Sequence, residues 1–177
     1  MTVTLPEPGP RDDAKALFLE YLDFYRATIV GKISGLDDET LRSPAVPSGW
    51  SPIELVKHLA FMERRWLRWG FLGEHVDDPW GDHGRMPSDD PEGDRWSVSG
   101  DESRDDVVEM LLVGGAGTRA AVEAAELSDP AATGGRFPEG EQPPTLLAIL
   151  FHVLQEYARH TGHLDVAREL IDGTTGE

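Results

Sequence analysis

Apolar residues spaced by three and four recur in four blocks along this chain, and stretches rich in glycine and proline separate the blocks. That periodicity matches the face of an α-helix and leaves little room for strands, whose apolar residues alternate by two. From Asp12 to about Ser34, the residues Leu17, Phe18, Tyr21, Leu22, Tyr25, Ile29 and Ile33 mark the first helix, with Gly35 as its stop. The second has the clearest start: Ser51 as N-cap, Pro52 at the first helical position and Glu54 closing a capping box. It is expected to run to about Leu72, with Leu55, Leu59, Met62 and Trp66 as its stripe and His58 beside them. A third helix is expected over Glu102 to Leu127, where Gly114, Gly115 and Gly117 each cost roughly 1 kcal/mol relative to alanine. A phosphate-binding loop is the competing reading of that stretch, and it fails for want of a following Gly-Lys-Ser/Thr. The last helix runs from near Thr145 to near Asp172, over Leu146, Ile149, Val153, Tyr157, Leu164 and Ile171, with Gly173 beyond. Helices with long connections predict an all-α bundle.

Residues 1–10 read as a flexible tail and 11–174 as a single domain. Residues 73–102 hold Trp80 and Trp96, which suits a long ordered loop better than a linker. The formal net charge of -17 repels phosphate backbones and anionic lipid, so no nucleic-acid partner and no membrane partner is expected. The N-terminal stretch lacks the apolar core of a signal peptide and no segment approaches a membrane span, so a cytoplasmic location is expected. With no cysteine in 177 residues, any thiol chemistry needs a thiol from a small molecule.

The last helix carries His152, Glu156, His160 and His163. At about 100° per residue, Glu156 and His160 point roughly 40° apart at the edge of the apolar stripe, while His152 and His163 point toward the rim. A half-buried carboxylate and imidazole are costly without a partner, and a divalent cation would satisfy both. His58, facing inward from the second helix, is the candidate third ligand, and three protein ligands leave the open position of a catalytic site. Spacing alone leaves a second reading open: a hydrogen-bonded core histidine and an ordinary (i, i+4) Glu–His pair. Arg64, Arg65 and Arg68 follow His58 and read either as a solvated face or as a grip for an acidic substrate. His75 and His83 fall in the loop, where solvation is expected unless one reaches the site as a lid residue.

The segments Gly49-Trp-Ser-Pro, Leu55-Val-Lys-His58-Leu, Glu156-Tyr-Ala-Arg-His160-Thr-Gly-His163-Leu-Asp165 and Arg168-Glu-Leu-Ile-Asp-Gly resemble the DinB-like superfamily. More closely, they are similar to its bacterial branch related to mycothiol-dependent isomerases and S-transferases, over roughly residues 11–174. The resemblance implies a four-helix bundle with long crossover connections, often a homodimer. It implies one divalent metal ion, commonly zinc or nickel, on His58, Glu156 and His160. Many members of the superfamily place two histidines on the last helix; here the first is Glu156, as in the thiol-dependent isomerases. Those isomerases carry a further C-terminal domain and this sequence ends at Glu177, so isomerase activity is not expected.

The implied function is a metal-dependent enzyme that moves a low-molecular-weight thiol, mycothiol or a similar one, to a small electrophile. The metal would lower the thiol's pKa. Arg64, Arg65 or Arg68 would orient an acidic substrate, and His163 would tune the site without ligating, by a hydrogen bond behind the ligands or by proton transfer. A metal-dependent hydrolase using bound water, with His163 or His152 as shuttle, and a non-catalytic metal-binding stress-response protein are the alternatives.

Overall fold

A computed structural model describes residues 6–10, 12–83 and 96–175. Residues 1–5 of the expected tail and 84–95 of the expected ordered loop lie outside the described residues. The described chain is helical: α1 (Ala14–Ile33), α2 (Asp38–Arg42), α3 (Pro52–Arg64), a π-helical stretch (Arg65–Phe71), α4 (Arg104–Glu123) and α5 (Leu146–Asp172). α1, α3, α4 and α5 are the four principal helices of an all-α bundle. α1 packs on α4 and α5, and α3 packs on the same two. Among the described residues no helix is long and apolar enough to cross a membrane.

The helix ends follow their caps. The Asp13 carboxylate accepts from the backbone of Lys15 and Ala16 at 2.9 and 3.2 Å and starts α1. Glu54 reaches back to the Ser51 backbone N–H at 2.7 Å and its hydroxyl at 2.9 Å, which caps α3 at Ser51 and starts it at Pro52. Ser103 and Asp106 form the equivalent pair at the start of α4. α5 ends on Gly173, whose φ of 76° is left-handed and favours glycine.

Two elements differ from the sequence expectation. The connection after α1 contains α2, capped by Asp37 and anchored by the buried Leu41. The second helix does not run to Leu72 as one α-helix. Beyond Arg64 it widens, and the Leu72 N–H reaches back five residues to the Leu67 carbonyl at 2.9 Å. The 128–144 loop binds to this widened turn: Arg136 N–H donates to the Trp69 carbonyl at 3.2 Å and Ala132 N–H to that of Phe71 at 2.9 Å. These are long-range contacts, which local periodicity does not encode.

The core is apolar along the predicted stripes, with Leu22, Ile29, Leu55, Leu59, Leu111, Ile149, Val153 and Leu164 at or below 1% exposure. One polar network crosses it. Arg26 of α1 pairs with Glu63 of α3, and the Tyr157 hydroxyl of α5 donates to Glu63 at 2.5 Å. The glycines of α4 explain how Arg26 fits. A Cβ on Gly115 would lie 2.5 Å from Arg26 Nε, whereas Gly114 and Gly117 face open space. Gly115 gives up helix propensity and gains room for a buried guanidinium.

Candidate metal centre

α3 and α5 cross so that His58 meets Glu156 and His160. One ligand atom from each of these three residues lies within 4.8 Å of the others. On α5 the spacing of four does what helix geometry requires, and His160 Nε2 stands 3.1 Å from Glu156 Oε2. The His58 and His160 rings meet edge to face with centroids 5.1 Å apart.

Behind His58 stands a residue that sequence reasoning missed. Asp82, fully buried, has Oδ2 3.0 Å from His58 Nδ1. An ionised carboxylate only accepts, so Nδ1 carries the proton and Nε2 is left as the ring's lone-pair nitrogen. Arg65, also buried, forks onto Asp82 with contacts of 2.5 and 3.1 Å, donates to the Pro79 carbonyl, and lies over the Trp80 ring. Burial raises the Asp82 pKa, and the His58 and Arg65 hydrogen bonds outweigh it and hold the carboxyl below its usual range. The signal available in the sequence was Asp82-His83 in a loop rich in acids, too common a pattern to single out.

Trp96 closes the other side. It stacks on His58 with centroids 3.9 Å apart and planes 14° from parallel, and meets His160 edge-on at 5.2 Å. The Ser97 N–H donates to the Asp82 carbonyl at 2.8 Å, so Asp82 and Trp96 are placed together by a backbone bond between the two described ends of the loop. His83 is not solvated as expected: it lies near Asp82, with its ring 6.4 Å from that of His58. His75 is solvated, with its side chain 89% exposed.

His58, Asp82 and His83 form a second group within the same 4.8 Å limit. Arg65 already neutralises Asp82, so the pairing of His58 with Glu156 and His160 is the better-disposed donor set. Its imidazoles are suited to it. Burial lowers the His58 pKa despite Asp82, and burial with the neighbouring His58 brings His160 down to about 4. Both rings are therefore neutral at pH 7, the form that binds a metal. The His160 Nδ1 atom is buried without a hydrogen-bond partner among the described residues. Two neutral imidazoles and a carboxylate fit a divalent ion such as zinc or nickel.

The remaining candidates divide. Arg65 serves Asp82. Arg64 donates to the Asp77 carbonyl at 2.8 Å and Arg68 pairs with Glu74 at 2.7 Å, and both line a groove toward α4 with Met110 and Gly114. The three arginines thus have different partners. His163 is exposed; its ring lies 5.3 Å from that of His160 and 6.2 Å from that of Trp50. His152 packs on Trp66 with centroids 4.1 Å apart.

Comparison with known proteins agrees with this architecture. The crystal structure titled as the conserved protein of locus from Enterococcus faecalis superposes with a TM-score of 0.62 at 16% identity, covering 93% of this chain and all of that one, which shows a shared fold. No curated protein matches. The family model described as mycothiol-S-transferase matches residues 17–173, nearly all of the described bundle, and bears out the resemblance read from the sequence: the chain belongs to the mycothiol-S-transferase family.

Proposed function

We propose that this protein is a metal-dependent S-transferase that joins mycothiol, or a thiol like it, to a small electrophile at the centre formed by His58, Glu156 and His160. The observation that carries the reading is the convergence of those three side chains from two helices, in a chain matched by a mycothiol-S-transferase model. A zinc or nickel ion held there would supply the Lewis acidity that keeps a thiol as its thiolate near neutral pH.

The protein's own groups divide the remaining work. Asp82 accepts a hydrogen bond from the Nδ1–H of His58 and fixes its tautomer, and Arg65 keeps Asp82 ionised and in place. Trp96 covers the face of His58 and excludes water from it. His163, exposed with its ring 5.3 Å from that of His160, would take the proton that the thiol S–H releases. A C–S bond then forms at the electrophilic carbon. In a substitution the bond from that carbon to a leaving group breaks and the pair departs with the group; in an addition the π bond breaks, its pair moves to the neighbouring atom, and that atom takes the proton back.

Metal analysis of the purified protein, followed by assay of mycothiol consumption with an alkylating acceptor before and after chelation, tests the reading. Stoichiometric metal and metal-dependent thioether formation are expected. Thioether formation that survives complete metal removal would refute it.

A further inference from the structure

Arg136 sits in the loop between α4 and α5, with its guanidinium over the Trp66 ring at 4.3 Å and 5.7 Å from the centroid of Trp69. The seat is built from several independent features. Trp66 and Trp69 stand on the π-helical stretch, and π-turns recur at functional sites. The Arg136 N–H holds the Trp69 carbonyl, and the Gly134 N–H closes the loop on the Phe137 carbonyl at 2.9 Å. A Cβ on Gly135 would lie 2.6 Å from the Trp69 carbonyl oxygen, so only glycine lets the loop approach this closely.

The chain has 33 acidic residues against 16 Lys and Arg, yet no described carboxylate pairs with this half-buried guanidinium. Burial lowers its pKa, and the charge it feels among the described residues is that of Arg65, which lowers it further. Among the described residues, an anionic partner is what this guanidinium lacks. The other arginines near His58 are committed elsewhere: Arg65 to Asp82, Arg68 to Glu74, and Arg64 to the Asp77 carbonyl.

Arg136 is also joined to the candidate centre by a continuous surface. From Glu156 Oε1 it is 3.8 Å to His152 Nε2, the His152 ring lies 4.1 Å from that of Trp66, and Trp66 carries Arg136. A guanidinium held over indole rings and without a described carboxylate partner still offers its planar N–H fork, the group that takes a carboxylate through two parallel hydrogen bonds.

We propose that Arg136, seated on Trp66 and Trp69, binds the carboxylate of a planar anionic electrophile whose body lies along Trp66 and His152 toward Glu156. The role of this ligand as electrophile rests on the transferase reading above; the anion site itself does not.

The test uses the full chain stripped of metal by chelation, with benzoate and benzamide as probes, read by tryptophan fluorescence and equilibrium dialysis. Benzoate is expected to bind wild type and to lose about tenfold or more in Arg136→Gln, as for one charge-assisted contact. Arg136→Lys, which keeps the charge but not the fork, should fall between the two, and Arg104→Gln, at the start of α4 where Arg104 pairs with Asp38, should match wild type. Benzamide should not distinguish wild type from Arg136→Gln. Failure of benzoate to bind wild type, equal benzoate affinity in wild type and Arg136→Gln, or binding that appears only with metal restored would each overturn the proposal. Because the protein is metal-free, these results are independent of whether thiol transfer is found.

Discussion

His58 Nδ1 lies 3.0 Å from Asp82 Oδ2, and the carboxylate that holds this ring is itself held by Arg65. The chain of contacts fixes which nitrogen of His58 faces Glu156 and His160. Carboxylates in this position raise the basicity of a metal-bound imidazole and set its orientation. Asp82→Asn keeps the shape and removes the charge, so metal affinity is expected to fall by about 10- to 100-fold. Competition against a chromophoric chelator measures it. An unchanged affinity would leave Asp82 with no orienting role.

His58→Ala and His160→Ala are expected to abolish stoichiometric metal, and Glu156→Ala to weaken it strongly, because each removes one of three donors. Metal added to wild type should raise its melting temperature, since ligand that binds only the folded state adds to stability, and the rise should vanish in the two histidine variants. His163→Ala should retain the metal and lose turnover. Full occupancy in a His58→Ala, His160→Ala double variant would remove the site. Loss of metal in His163→Ala alone would reassign its ligands.

Gly114 and Gly115 are neighbours on α4 with opposite expected responses to alanine. Gly114 faces open space, so Gly114→Ala should stabilise by up to about 1 kcal/mol through helix propensity. Gly115→Ala puts a methyl 2.5 Å from Arg26 Nε, and Arg26 is held by Glu63 and Asp23 and has little freedom to retreat. A loss of about 1–3 kcal/mol is expected, the usual cost of overpacking. Urea denaturation of the two variants decides it; a shift of the same sign in both would show that Arg26 moves aside freely.

The buried network of Arg26, Glu63 and Tyr157 joins α1, α3 and α5. Tyr157→Phe removes one hydrogen bond and leaves the ion pair, so a loss of about 1–2 kcal/mol is expected. Glu63→Leu strands the Arg26 guanidinium with only the half-exposed Asp23 and should cost more, about 3–5 kcal/mol. Equal losses in the two variants, by thermal or urea unfolding, would mean that the pair contributes no more than the hydroxyl.

The sequence by itself determined the four principal helices, the local caps at their ends and the facing of α5. Periodicity of three and four is a local property, and Ser51, Glu54, Asp13 and Gly173 act within a turn of the ends they define. The same local geometry put Glu156 and His160 on adjoining turns, and the inward face of the second helix brought His58 into consideration. Only the tertiary structure decided what surrounds them. Asp82 and Trp96 reach His58 because a backbone bond joins two distant points of a long loop, and no periodicity records that bond. Arg65 faces Asp82 while its neighbour Arg64 and Arg68 line the groove toward α4, so a run of arginines that looks uniform in sequence is divided by the side each occupies. Gly115 reads locally as a defect in a helix. Its reason lies across the core in Arg26, a contact between residues far apart in sequence that exists only once α1 and α4 have packed.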